Sequence, residues 1–572
     1  MYSYFSIRSK GRSFLLAVFG TLTIFYVFSS SHYSSSSYSP SPLESVRLAW
    51  YMNNARPSKP APAVVPVKSS FDWSQVRLAH PPPNPSIQLP KGRPKPLPRI
   101  QHNFPPESPS AAGKRETRRQ EIKKLFQKCW QSYRRYAWKK DALLPLSAGG
   151  RDQFSGWAAT LVDSLDTLWI MGLREEFDEA VAATAEIDFG QSSSERVNTF
   201  ETTIRYLGGL LAAYALSRRE ILLSKAVELG DLIYAAFDTP NRMPVDFIDF
   251  QRAKAGKGLI VEGSVVSASP GTLSLEMTYL SQLTGDPKYY DAISGVMRLF
   301  HTHQNQTRLP GMWPIYVSMS RQDVISGSSF TLAGNADSLY EYLPKMHALL
   351  GGLEPMYETM SRTFMHTASE HLFFRPMLPH GEDILISGNV NIGEDGTPTL
   401  DPESEHLACF IGGVMALGGR LFSQPDDVET GARLARGCAY AYRAFPTGIM
   451  PERINMVPCP KSRHPSATCP WSEDTWLRER AKRPEWKEHL PAGFTTAKDP
   501  RYLLRPEAIE SVFVLYRVTG DETYLDMAWE MFEAISRGTR TEHANAAVLD
   551  VTIALEELPK EDYMEVSGHS QQ

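Results

Sequence analysis

The sequence predicts an all-α fold: stacked helical hairpins over about 450 residues in one large domain. Three observations carry that prediction. Beyond residue 116 apolar residues recur every three or four positions, as in Phe200 to Leu216 and Leu407 to Phe422, the spacing of a helix with one buried face. Few alternating, strand-like runs compete with them. Two stretches also resemble one another: Gly271-Thr-Leu-Ser-Leu-Glu276 leads to Leu-Thr-Gly-Asp286, and Arg505-Pro-Glu-Ala-Ile-Glu510 leads to Val-Thr-Gly-Asp521. In each, glycine suits the left-handed end of one helix and aspartate can cap the next. Repeated helix–turn–helix units need neighbours to cover their apolar faces, so an array or ring follows.

Composition sets the outer limits. The 572 residues are 42% hydrophobic and 22% charged, which excludes a disordered, collagenous or disulfide-scaffold chain. Sixty basic against 64 acidic residues give a net charge of −4. No strong positive field points to nucleic acid, so the expected partner is neutral or small.

The elements follow in chain order. Residues 13–29 form an uncharged apolar run behind Arg8, Lys10 and Arg12. The run reads as a transmembrane signal anchor rather than a cleaved signal peptide, because no small-x-small cleavage site follows and Tyr26 and Phe28 lie where interfacial aromatics would. The basic cluster keeps a tail of residues 1–12 cytosolic and places the rest in a lumen. Residues 30–115 are Ser/Pro-rich, with 17 of the 42 prolines in the first 110 residues, and are expected to form a disordered, solvated stem. A Pro-rich ligand for a partner's groove is the alternative. Residues 116–572 form the helical body.

Within that body several residues could carry chemistry. Glu201 and Arg205 lie four apart on one helix face, where the bland reading is a surface ion pair. Asp337 precedes an aromatic helix and could be only a cap; Glu507 follows Pro506 and could only answer a helix dipole. His406 precedes an apolar helix, where a lone histidine usually packs or caps. Dispersed acids on a helical array in a secretory lumen suit glycoside hydrolysis, in which one carboxyl protonates the leaving oxygen and another activates water.

Five ordered motifs sharpen this: Asp163-Ser-Leu-Asp-Thr-Leu-Trp-Ile-Met-Gly-Leu173, Phe200-Glu-Thr-Thr-Ile-Arg205, Ala336-Asp-Ser-Leu-Tyr-Glu-Tyr-Leu343, His406-Leu-Ala-Cys-Phe410 and Leu504-Arg-Pro-Glu-Ala-Ile-Glu-Ser511. With them the chain from about Leu125 to Thr552 resembles the class I α-1,2-mannosidases, glycoside hydrolase family 47. The resemblance implies an (α/α)7 barrel that removes terminal α-1,2-linked mannose from high-mannose N-glycans with inversion. It implies Glu201 as proton donor, Glu507 as general base and Asp337 as a third essential carboxylate. Arg205, His406, Arg505, Glu276 and Glu510 would contact the sugar. Cys409 and Cys438 match the family's disulfide; Cys459 and Cys469 could form a second in an oxidising lumen, leaving Cys129 outside the pairs. Asn305-Gln-Thr is an N-glycosylation sequon.

The same resemblance implies a Golgi or reticulum membrane protein, single-pass type II and monomeric, with calcium as cofactor. The alternatives are a mannosidase-like lectin binding high-mannose glycans in quality control, and a metal-independent glycosidase acting on glucans. Asn335 stands where many relatives have an arginine that shapes branch preference, and Ser269 replaces a common glutamate. Past Asp550-Val-Thr552 the resemblance implies a further helix and a calcium-binding threonine. This chain reaches Tyr563-Met-Glu565 in register and then reads Val-Ser-Gly-His-Ser-Gln-Gln. The expectation is therefore a ring lacking its last helix and its calcium threonine. Val566 onward would be intron read-through, because Val-Ser translates the usual donor sequence, or else the end of a truncated isoform.

Overall fold

A computed structural model describes residues 64–82, 85–460, 469–483, 490–554 and 556–565. The repeated Thr-Gly-Asp segments make the expected joints. Gly285 and Gly520 take left-handed φ values of 75° and 78°, their N–H groups donating to Ser281 O (2.9 Å) and Tyr516 O (2.8 Å). Asp286 Oδ1 then accepts from Lys288 N–H at 3.0 Å and Asp521 Oδ1 from Thr523 N–H at 2.9 Å, starting the next helix.

Among the described residues six hairpins follow one another: α2 (Leu165–Ile170) with α3 (Arg174–Ala185), α4 (Gly208–Ser217) with α5 (Glu220–Ala235), and α6 (Ser274–Thr284) with α7 (Lys288–His303). Then come α8 (Asp337–Leu349) with α9 (Pro355–His371), α10 (Ile411–Leu421) with α11 (Pro425–Ala444), and α12 (Glu507–Thr519) with α13 (Thr523–Thr539). The first helix of each pair packs on the next, α2 to α4, α6, α8, α10 and α12, forming an inner layer. Helix α1 (Pro109–Tyr136) joins the outer layer between its first and last members. Lys114 and Arg118 pair with Asp526 on α13, and Arg134 pairs with Glu179 on α3. Among the described residues the outer layer thus has seven helices, α1 and the second member of each hairpin. Residues 566–572, and with them the expectation of a missing last helix, lie outside the described residues.

Short strands lie between hairpins, most of two to four residues, and the longest of them buries successive residues rather than alternate ones. Antiparallel β1 (Arg196–Asn198) and β2 (Phe247–Asp249) pair Asn198 with Phe247. A second sheet has the order β3 (Glu403–Glu405), β4 (Arg453–Met456), β5 (Phe494–Asp499). Cys409–Cys438 and Cys459–Cys469 are both formed, and Cys129 is buried with Sγ 3.5 Å from Asn545 Oδ1. Asn305 is exposed on a single 3₁₀ turn, Gln304–Gln306.

The solvated stem needs correction where it is described. Residues 64–82 and 85–108 lie along the body as an extended belt. The buried Lys225 ammonium donates to Val67 O at 2.7 Å, and Trp73 is 5% exposed, with its indole N–H 2.8 Å from Phe189 O. Asp238 accepts from the N–H groups of Ala79 and His80, and Asp291 from Ile87. Further on, Lys95 N–H donates to Gly351 O and His102 N–H to Arg517 O. From Ala79 to His102 the belt touches successive hairpins in chain order, with Arg420 donating to Arg99 O between the Gly351 and Arg517 contacts. A proline-rich segment builds no core of its own, but its backbone can be held by side chains of another, which composition does not reveal. Among the described residues no helix is long and apolar enough to cross a membrane. The tail 1–12 and the anchor 13–29 lie outside them.

Candidate active site

The inner helices begin at one end of the ring, and their first turns surround a cavity of about 700 Å³. Glu201, Asp337 and Glu507 all line it, as do Arg205, Arg505, Glu276 and Glu510. Seven of the eight residues picked from sequence are thus brought together from four hairpins. His406 is not among the lining residues.

Each is positioned by its local backbone. Asn198 caps the turn Thr199–Glu201, accepting from Glu201 N–H at 2.7 Å, and a π-helical stretch, Thr202–Leu207, follows. Arg205 on that stretch turns back so that Nε donates to Glu201 Oε2 at 2.7 Å. Asp337 and Glu507 are the first residues of α8 and α12. The cap reading of Asp337 is replaced: Ala336 holds the cap position, and Asp337 Oδ1 accepts from Ser338 N–H at 2.9 Å. Before Glu507 the chain passes through Leu504 at φ 61°, a costly conformation for a buried leucine. Glu452 holds that bend, accepting from Leu503 N–H at 2.8 Å and Arg505 Nε at 2.5 Å.

The electrostatics follow from burial. Carboxyl groups outnumber the cations Arg205, Lys345 and Arg505 around the cavity. Desolvation pushes Asp163, Glu276, Asp337 and Glu507 up to about 7, against the opposing pull of Arg205 on Asp163 and of Arg505 on Asp337 and Glu507. Arg205 is the hub of one side: burial works against its charge, but Glu201, Glu565 (3.1 Å) and Asp163 (3.8 Å) outweigh it and raise its pKa. Glu276 Oε1 accepts from the Tyr342 hydroxyl at 2.7 Å, and its Oε2 has no hydrogen-bond partner among the described residues.

His406 departs from its expected place. It is fully buried behind Glu507, and desolvation lowers its pKa to about 4, so the ring is neutral. Its role is toward Glu507 rather than the cavity.

Sequence reasoning passed over Glu565, Glu452 and Asp163. Asp163 opens the first of the five motifs and Glu565 belongs to the Tyr-Met-Glu segment, so both carried a signal; Glu452, in Pro-Glu-Arg, carried none.

The comparisons with known proteins agree with this geometry. Glycosyl hydrolase family 47 matches residues 125–567. The chain belongs to that family. Trichoderma reesei α-1,2-mannosidase superposes with a TM-score of 0.69 at 30% identity, covering 80% of this chain and 92% of that one. The human endoplasmic reticulum mannosyl-oligosaccharide 1,2-α-mannosidase is 33% identical over 425 residues, 73% of this chain. This chain spans 54% of that relative's length. A probable mannosyl-oligosaccharide α-1,2-mannosidase 1B of Aspergillus fumigatus is 32% identical over 444 residues, 75% of this chain and 83% of its own. The helix-rich fold is the α/α barrel of this family, and its relatives support a glycosidase of the mannosyl-oligosaccharide 1,2-α-mannosidase type.

Family 47 enzymes generally depend on calcium, a hard cation that takes six to eight oxygen ligands. Among the described residues no group of three or more His, Cys, Asp or Glu could hold a metal ion.

Proposed function

We propose that the chain hydrolyses terminal α-1,2-linked mannose from high-mannose N-glycans with inversion at the anomeric carbon. The observation that carries this reading is the convergence of Glu201, Asp337 and Glu507 on one cavity from three separate hairpins. Glu201 protonates the leaving oxygen, directly or through one water; Glu507 takes the proton of the attacking water. Asp337, beside them at the start of α8, is the third carboxylate. A base whose pKa lies near 7 combines an available ionised form with proton affinity, which suits Glu507. Excess carboxyl groups suit a neutral sugar, whose hydroxyls donate hydrogen bonds.

The basic residues Arg8, Lys10 and Arg12 and the apolar run 13–29 support a type II Golgi or reticulum membrane protein with a lumenal catalytic body, which we further propose is monomeric and aided by calcium. The test is incubation of the purified chain with a high-mannose oligosaccharide, following released mannose by proton NMR in the first minutes. Release of β-mannose is expected. Initial α-mannose would refute inversion, and glycan binding without release would leave a lectin. A parallel arm with chelator reads the need for calcium.

A further inference from the structure

One wall of the cavity has no part in the roles given above. Asp246, Phe247 and Ser269 line it together. The Phe247 ring is 38% exposed, so part of its face is open to the cavity. It is fixed there nonetheless. Its strand pairs with β1, where Phe247 faces Asn198, the residue that caps the turn carrying Glu201. Glu262 accepts from the N–H groups of Asp246 (2.9 Å) and Phe247 (3.3 Å), and Arg196 bridges Glu262 (3.1 Å) while its guanidinium lies 5.0 Å from the Phe247 ring centre.

Asp246 is held as firmly. Its carbonyl accepts from Thr199 N–H at 2.9 Å, and its Oδ1 accepts from the hydroxyl of Ser269, itself 6% exposed. Oδ2 has no hydrogen-bond partner among the described residues. A glutamate at 269 would set a second carboxylate against Asp246; serine instead gives it a donor. An aromatic face beside a carboxylate is the pairing that binds a sugar ring, apolar C–H face on the aromatic and hydroxyls on the acid.

We propose that Asp246 and Phe247 form the subsite for the sugar that stays behind, the one whose oxygen leaves when terminal mannose is released. The inference rests on the mannosidase reading. Phe247 and Glu201 share the Asn198 strand and cap, which sets this subsite beside the proton donor.

The test compares the full-length chain with Asp246→Ala, Asp246→Asn, Phe247→Ala and Phe247→Tyr on α-1,2-mannobiose and a high-mannose glycan. Loss of a hydrogen bond to a charged group or of a stacking face predicts that Asp246→Ala and Phe247→Ala raise KM about tenfold with kcat within about twofold of wild type. Asp246→Asn and Phe247→Tyr should recover most of the loss. Unchanged KM in both alanine variants overturns the proposal; so does a fall in kcat alone, which would place the pair on the reacting centre. Calorimetric titration of the same proteins carrying Glu507→Gln, which blocks turnover, measures binding of the glycan alone. A wild type that binds but releases no mannose refutes hydrolysis, while weakened binding by the variants still supports the subsite. Phe247, on the surface of the cavity, provides the variants should Asp246→Ala fail to fold.

Discussion

His406 Nδ1 lies 3.4 Å from Glu507 Oε2, and its Nε2 lies 2.8 Å from the Tyr442 hydroxyl. Both Nδ1 and Oε2 are buried without an aligned hydrogen bond. The pair fixes where the Glu507 carboxyl can rest, because a neutral ring packed between Tyr442 and Tyr502 cannot move away from it. His406 is thus a positioning residue. His406→Ala should lower kcat by about 10- to 100-fold and shift the limb of the pH–rate profile that reports Glu507. A Gln that keeps two polar atoms should restore part of both. An unchanged pH profile would mean that the histidine only fills space.

Burial of Glu507 sets function against stability. Its folded pKa of about 7 exceeds the ordinary 4.5, so the folded state binds this proton more tightly than the unfolded chain does. The contribution is fully present below about 4.5 and is lost as pH rises to about 7. Glu507→Gln should therefore be more stable than wild type at pH 8, by up to about 3 kcal/mol, and indistinguishable near pH 4.5, while mannose release falls about 10²- to 10⁴-fold. Glu276→Gln should show the same stability pattern, since burial also raises its pKa to about 7. Denaturant melts at the two pH values check both.

Arg205 compensates Glu201, Asp163 and Glu565 at once. Arg205→Met should cost about 3 kcal/mol at pH 8, since it leaves buried carboxylates unpaired. Arginine stabilises these acids only when they are ionised, so the gap between variant and wild type should narrow as pH falls through about 7, where Asp163 takes up its proton. A gap independent of pH would assign the loss to packing against Phe154, 4.9 Å from the guanidinium. Lysine at 205 keeps the charge but not the fork of donors, and should recover stability more than activity.

What could be read in advance follows the range of the interactions. The hairpins were legible because helical spacing and the Thr-Gly-Asp joints are local: Gly285 and Asp286 find their partners within a few residues. The three carboxylates were legible through the order of their motifs, which stands in for the convergence that no spacing discloses. Asp246 and Glu452 were not, because what gives each meaning, Ser269 for one and Arg505 for the other, joins it from another segment. His406 was legible as a residue but not as a buried one. Burial is decided by Tyr442 and Tyr502, 36 and 96 positions away.

The belt of residues 64–108 yields the last prediction. Its polar anchors, Lys225, Asp238 and Asp291, lie on the body, and its largest apolar anchor is Trp73, packed edge-to-face on Phe71 (4.9 Å) and Phe250 (5.2 Å). Trp73→Ala removes a buried ring and leaves Phe189 O without its donor, a loss of about 3–5 kcal/mol. None of these groups lines the cavity, so kcat and KM of the folded variant should match wild type at 25 °C while its denaturant midpoint falls. Lys225→Met tests the polar half: it frees Val67 O and Ile187 O but keeps the stem of the side chain, and should cost about 1–3 kcal/mol. If both variants melt like wild type, the belt lies on the body without holding it. If they lose activity in step with stability, the belt instead governs the shape of the ring around the cavity, through α5 and the Glu201 segment that packs on it.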